Sequence, residues 1–195
     1  MTRFFDIVFS FLGLLCLSPL FILVALWIIV DNPGPVFYQQ QRVGKNGKDF
    51  GLLKFRSMRV GADKMSLITI GERDPRVTHA GYYIRKYKLD ELPQLWNVLV
   101  GDMSLVGPRP EVRRYVDVYS NEQRRVLSVR PGITDYASIE YIDENVLLAQ
   151  SNNPDKTYIE QIIPAKIALN MRYINHQTLS EYFKIIFLTF VHIIR

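Results

Sequence analysis

The sequence predicts an α+β fold, mostly helical with a short β-hairpin or small sheet. A re-entrant N-terminal membrane helix carries it, and interfacial amphipathic helices support it. Three observations lead there. A charge-free run at residues 7–30 is interrupted at Ser18-Pro19. Two strand-like segments flank the turn-like residues 44–47. Apolar residues recur at helical spacing at 87–101 and again at 154–175. The 195 residues divide into a membrane helix, 1–35, and a membrane-associated globular part, 36–195.

As a helix rising 1.5 Å per residue, the run at 7–30 reaches about 36 Å, enough to cross a bilayer core. A cleavable signal peptide fits poorly. Arg3 is the one side-chain cation ahead of the run, and no small-x-small site precedes Asp31. A simple spanning helix is the alternative, but two features favour a helix that dips in and returns. Pro19 has no N–H and frees the Leu15 carbonyl, which kinks a helix, and Ser18 can help satisfy the broken turn. Cations also flank both ends: the amino terminus and Arg3 on one side, then Arg42, Lys45, Lys48, Lys54, Arg56 and Arg59 on the other. The positive-inside tendency puts both ends at the cytoplasmic face. Residues 182–194, YFKIIFLTFVHII, are too short to span comfortably and read as an interfacial helix, with a buried core helix as the alternative.

Composition narrows the function classes. Hydrophobic residues make up 48% and charged residues 22%, which excludes disorder. The single cysteine, Cys16, excludes a disulfide framework or a Cys-based metal site and reads as a small buried hydrophobe. The net charge of +5 is uneven: residues 36–130 carry 18 Lys and Arg against 10 Asp and Glu, and the remainder 6 against 9. So basic a segment faces nucleic acid, acidic headgroups or a phosphorylated ligand more often than bare solvent. Within it, the breaker Asn32-Pro33-Gly34-Pro35 precedes a short strand at 36–39, and residues 50–58, FGLLKFRSM, alternate as a second strand. Alternation sets Lys54 and Arg56 on one face, Leu53 and Phe55 on the other. Two cations aimed the same way can grip a phosphate, or they can be the wet face of a hairpin.

Residues 87–101, YKLDELPQLWNVLVG, are the most informative stretch. Leu92, Leu95, Trp96 and Leu99 fall at i, i+3, i+4 and i+7, with Pro93 suited to a first helical turn and Gly101 to the end. Asp90 and Glu91 then sit at or just before a helix N-terminus, where negative charge is favoured. One role is N-capping by Asp90. The neighbours suggest another, since Arg85, Lys86 and Lys88 precede the pair and Val106-Gly107-Pro108-Arg109-Pro110-Glu111 follows the helix. Adjacent carboxylates ringed by cations suit a phosphate and a divalent metal, one acid as nucleophile and the other as Mg²⁺ ligand. Local chemistry leaves open which acid is which.

The motifs QQRVGKNGKDFGLLKFRSM (40–58), DPRVT (74–78), GYYIRKYKLDELPQLWNVLVGDMSLVGPRPE (81–111) and RPGIT (130–134) occur in that order. Together they closely resemble the bacterial sugar transferases, or monotopic phosphoglycosyl transferases. The Ser-Pro break is similar to that family's re-entrant membrane helix. The resemblance implies a Mg²⁺-dependent phosphoglycosyl transferase of the bacterial cytoplasmic membrane, its catalytic part (36–195) on the cytoplasmic face. Asp90 matches the family's nucleophile, which attacks the β-phosphate of a UDP-sugar, expels UMP and forms a covalent aspartyl phosphosugar. Glu91 matches the carboxylate that helps hold Mg²⁺. Arg85, Arg109 and Arg130 occupy positions similar to its phosphate and nucleotide contacts, and Lys54 and Arg56 match its KFR motif. Polyprenol (undecaprenyl) phosphate is the implied acceptor, in the first membrane step of polysaccharide or glycoprotein glycan synthesis. The implied partners are the UDP-sugar, the polyprenol phosphate and membrane lipids, without nucleic acid; a homo-oligomer is compatible.

The chain departs from the family after the PGIT turn. Many relatives continue with Gly-Trp and a Gln, whereas here Asp135-Tyr136-Ala137-Ser138 leads into an acidic stretch ending at Gln150. The donor sugar is therefore left open. Some relatives carry extra spanning helices before the catalytic part; none is read in these 195 residues, and a minimal catalytic unit is the expectation. Ser120-Asn121-Glu122-Gln123 opens a helix with a capping-box pattern, and Arg130-Pro131-Gly132 ends it in a turn. Tyr158, Ile162, Ile163, Ile167 and Met171 read as core; Asp102, Asp143 and Glu144 read as surface acids, and His192 as solvent- or headgroup-facing. Three rival readings are weighed. A nucleic-acid binder draws on the aromatics interleaved with cations at 82–88, against which the apolar start and end argue. A non-catalytic membrane scaffold is the second, and a glycosyltransferase releasing UDP rather than UMP is the third.

Overall fold

A computed structural model of the chain describes residues 2–62, 74–141 and 144–194. The apolar run forms one helix, α1 (Thr2–Asp31), long and apolar enough to cross a membrane. It passes through Pro19 without interruption. Ser18 Oγ donates to the freed Leu15 carbonyl at 2.8 Å, so the turn that Pro19 breaks is repaired locally. The helical secondary structure is thus continuous through the predicted break.

Both ends of α1 are tied to the rest of the protein. Near its start, Arg3 donates to the carbonyls of Val98 and Leu99, and Asp6 is 2% exposed. The Asp6 carboxyl accepts from Ser104 Oγ, from Leu105 N at 2.9 Å and from Tyr182 Oη at 2.9 Å. At the far end, Asp31 accepts from Ala80 N at 3.0 Å, and the Asn32 carbonyl accepts from Arg56. Asp6→Leu would strand two hydroxyls and a backbone N–H without an acceptor. We expect it to remove about 3 kcal/mol of stability, read as a lowered Tm of detergent-purified protein, with Asp6→Asn losing less.

The hairpin pairs β1 (Phe37–Val43) with β2 (Asp49–Phe55), antiparallel, Tyr38 opposite Lys54 and Gln40 opposite Leu52. Asn46 and Gly47, with φ of 57° and 73°, turn the chain between them. The first strand therefore runs past residue 39 to the buried Val43. Both faces of the hairpin are covered. Phe55 packs with Val24 and Ile28 of α1 and with Ala80 and Ile84 of α2 (His79–Lys86). Leu52, on the opposite face, packs with Val98 of α3 (Gln94–Val100) and with Met103. Lys54 and Arg56 are accordingly not the wet face of a hairpin.

Helix α3 is placed as predicted but rotated from its amphipathic reading. Gln94, Asn97 and Val98 are buried, whereas Trp96 and Val100 are exposed. Asn97 explains the rotation: its side chain accepts from Leu53 N at 2.9 Å and donates to Gly51 O at 2.8 Å, serving the edge of β2 as a further strand would. The apolar stripe then turns outward and toward α1, where Gly13 meets Leu95. Gly101, at φ 103°, ends the helix.

A second small sheet pairs β3 (Ser104–Val106) parallel to β4 (Gly132–Thr134). The two chains cross so closely that a Cβ on Gly132 would lie 2.1 Å from Gly107 N, so only glycine fits there. Then come α4 (Arg113–Val116), α5 (Tyr136–Glu140), α6 (Glu144–Ala149), α7 (Pro154–Thr157), α8 (Ile163–Asn175) and α9 (Leu179–Ile194). The capping box forms, with Ser120 N donating to Gln123 Oε1 at 2.8 Å and Gln123 N to Ser120 Oγ at 3.2 Å, but it opens a 3₁₀ segment rather than an α-helix. Helices α7 and α8 are joined by a π-turn, Tyr158–Ile162, just before Pro164, which has no N–H for the Glu160 carbonyl. Tyr158, Ile162, Ile163 and Ile167 form the main core with Val43, Val116 and Tyr119. Helix α9 divides its faces: Tyr182 and Ile185 are fully buried, while Phe183, Phe187 and Phe190 are exposed.

Candidate active site

Between α2 and α3 the chain makes a 3₁₀ turn, Leu89–Glu91, entered through Lys88 in a left-handed conformation (φ 55°). This reversal separates the surroundings of the two adjacent acids. Asp90 is 8% exposed, and no hydrogen bond from a described residue reaches its carboxyl, so it does not cap α3. Burial raises its pKa and Glu91 adds to the rise; Lys54, Arg85 and Arg109 oppose it. Glu91 is fully engaged. Arg109 forks onto both its oxygens, one branch at 3.0 Å, and Lys54 Nζ lies 3.6 Å away. Burial alone would raise the Glu91 pKa, but Arg109 and Lys54 outweigh it and hold the carboxyl far below the usual range. Glu91 in turn raises the Arg109 pKa, while burial lowers that of Lys54.

The loop carrying Arg109 is clamped from several sides. Its backbone N–H donates to Asp135 Oδ2 at 2.9 Å, and Asp135, fully buried, also caps α5 by accepting from Ser138 N. Arg42 of β1 donates to the Pro110 carbonyl at 3.0 Å and lies 3.8 Å from Glu111. Val43 N donates to the Glu111 carbonyl at 2.8 Å, and Tyr158 Oη donates to the Glu111 side chain. In the sequence Arg42 reads only as a flanking charge and Asp135 only as a departure from the family. Both left a signal. The hairpin register puts Gln40, Arg42 and Lys54 on one face, and Asp135 with Ser138 three residues on has the spacing of a helix cap.

Lys54, Asp90, Glu91 and Arg109 are therefore brought together, and half-buried Arg85 lines the same cleft. Arg56 also lines it, but its guanidinium serves the carbonyls of Asn32 and Pro33 after α1. Arg130 is placed elsewhere: its Nε donates to Gly101 O at 2.9 Å at the end of α3, and it is not among the residues lining the cleft. Glu144 is not a free surface acid, since it pairs with Lys166 at 2.8 Å along the same cleft. Asp102 is exposed, and Asp143 lies outside the described residues. His192 is part-buried, its Nδ1 3.1 Å from the Leu188 carbonyl. The cleft measures about 1600 Å³, and its cations, among them Arg42, Lys54, Arg59, Arg85 and Arg109, outnumber its acids, Asp90, Glu91, Glu111 and Glu144.

This geometry defines a class: an α+β protein on a long apolar helix, presenting two differently charged carboxylates inside a cationic cleft. A family model described as bacterial sugar transferase matches residues 1–195, and the chain belongs to that family. It is 46% identical over 120 residues to a Bacillus subtilis (strain 168) protein provisionally named an undecaprenyl-phosphate N-acetylgalactosaminyl 1-phosphate transferase, covering 62% of this chain and 67% of that one. It is 43% identical over 142 residues to the Aeromonas hydrophila UDP-N-acetylgalactosamine-undecaprenyl-phosphate N-acetylgalactosaminephosphotransferase, covering 70% and 33%. Against the Escherichia coli (strain K12) UDP-glucose:undecaprenyl-phosphate glucose-1-phosphate transferase the identity is 37% over 192 residues, covering 94% and 38%. The chain thus spans about a third of the two larger relatives.

Proposed function

We propose that the protein transfers a sugar-1-phosphate from a UDP-sugar to a polyprenol phosphate, releasing UMP, through a covalent intermediate on Asp90. The observation that carries this is the unequal state of the two acids. Glu91 has its charge spent on Arg109 and Lys54, whereas Asp90 is buried, free of hydrogen bonds from described residues and raised in pKa. A carboxylate so placed is the better nucleophile, and environment rather than residue type separates the roles.

In the first step an Asp90 oxygen attacks the β-phosphorus, and the bond to the bridging oxygen breaks with UMP as leaving group. In the second, an oxygen of the polyprenol phosphate attacks the same phosphorus and expels the Asp90 carboxylate, giving a polyprenyl diphosphosugar. Arg109, Lys54 and Arg85 line the cleft with Asp90, which supports a role for them in balancing charge on the phosphoryl oxygens. No group of three His, Cys, Asp or Glu side chains occurs among the described residues. A Mg²⁺ ion would be held by Glu91, with Asp90 adjacent, once Arg109 and Lys54 turn from Glu91 to the substrate phosphates, which would complete its coordination. When bound, the ion supplies charge neutralisation to the diphosphate.

Both ends of α1 are fastened to the globular part, which supports a helix that enters and leaves by the cytoplasmic face. The exposed rings of α9 support a second contact at headgroup depth. The test is nucleotide release by protein in nanodiscs with Mg²⁺, polyprenol phosphate and a panel of UDP-sugars. UMP from one donor, lost on chelation, is expected and names the sugar. UDP in its place would mean direct glycosyl transfer and overturn the reading.

A further inference from the structure

The cleft is lined by a cationic set of residues and by an apolar set, and the apolar set takes no part in the chemical steps just described. Besides Glu91, the lining includes Leu92 and Leu95 of α3, Phe9 of α1, and Phe183, Ile186 and Phe190 of α9. Helices α1 and α9 meet there, with the rings of Phe9 and Phe183 6.3 Å apart. Phe9 and Phe183 are each 40% exposed and Phe190 62%, so the lane is apolar and open. A cationic phosphate site whose lining extends to an open apolar surface on α3, α1 and α9 has the chemistry of a ligand with a charged head and a long hydrocarbon tail. The cations beside Asp90 match the head, and the uncovered rings match the tail.

We infer that this lane seats the prenyl tail of the acceptor, with α9 serving as one wall. The inference rests on the proposed function and adds the acceptor's route. The rival route runs along the exposed aromatics of the α1–α2 side, where Trp27 stacks on Tyr83 at 5.9 Å. That side is not favoured, because Trp27 and Tyr83 do not line the cleft that contains Asp90.

The lane can be tested in wild-type protein in nanodiscs with a prenyl phosphate bearing a diazirine at the far end of its chain. Adducts mapped by mass spectrometry are expected on α9, around residues 183–190. Adducts confined to Trp27, Tyr83 and their neighbours would overturn the proposal. Ile186→Trp, which narrows the lane, provides the second reading. The KM for a long polyprenol phosphate should rise at least tenfold and that for a two- or three-isoprene phosphate by much less, with lipid-free UMP exchange unchanged. An unchanged KM at every chain length would sink the lane. Absence of exchange in the wild type would instead sink the underlying reaction.

Discussion

Asp90→Asn is expected to abolish UMP release while raising the melting temperature of the purified protein. Loss of a covalent nucleophile should lower turnover about 10⁴-fold or more. The stability gain follows from the burial that raises the Asp90 pKa. A carboxyl whose folded pKa lies above its unfolded one holds its proton more tightly when folded. It therefore withdraws stability as pH rises through the interval between the two values. Asparagine has no such titration, so the advantage of the variant should open across that interval and be complete above it. A gain of about 1 kcal/mol, usual for relieving a strained active-site group, corresponds to about 2–4 °C at this chain length. The wild-type transfer rate should fall on the acid side at a pH above the ordinary aspartate range, because the nucleophile must be ionised. A variant that keeps full activity would remove Asp90 from the nucleophile's role. A variant that is inactive and less stable would show that Asp90 holds the site together.

The elements legible in the sequence are those written in local chemistry. Gly101 ends α3, Ser120 and Gln123 cap each other, and the hairpin turns at residues 44–48. Each needs only neighbours within a few residues. What periodicity could not supply is which face a helix turns inward. The stripe Leu92, Leu95, Trp96 and Leu99 reads as a core face in a water-soluble protein. Here α1 and an apolar exterior compete for it, and Asn97 turns inward to bond β2. A membrane-facing protein breaks the usual link between apolar and buried. The same limit applied to the site. The motifs containing Lys54, Asp90, Glu91 and Arg109 were visible, but the difference between the two acids arises from Arg109, 18 residues further on. Arg130, equally prominent in its motif, is drawn instead to the carbonyl of Gly101 by the close crossing at Gly107 and Gly132. Asp6 went unread because a lone acid at the edge of an apolar run has no local partner; its partners lie 98 to 176 residues away.

Glu91→Gln tests the other half of the acid pair, and its expected effect on stability is opposite in sign. Glu91 is the common partner of two side chains that are largely withdrawn from water, Lys54 and Arg109. Neutralising it leaves both cations uncompensated, and breaking a buried ion pair from one side costs about 3–5 kcal/mol. Arg109 retains some contact with solvent, which places the expected loss near the lower end, about 3 kcal/mol, or a Tm lower by about 6–12 °C. The pH dependence gives the cause. With its folded pKa held well below the unfolded one, Glu91 contributes stability that is present above the unfolded carboxyl range and is lost progressively as pH falls from there through the folded pKa. The gap between wild type and Glu91→Gln should therefore be widest near neutrality and close in acid. If the stranded ammonium is the cause, Lys54→Met should harm the Glu91→Gln background less than it harms the wild type, giving a clear coupling term in the double-mutant cycle. Strict additivity would mean that Lys54 and Glu91 do not share charge, and would leave Arg109 alone as the partner that engages Glu91.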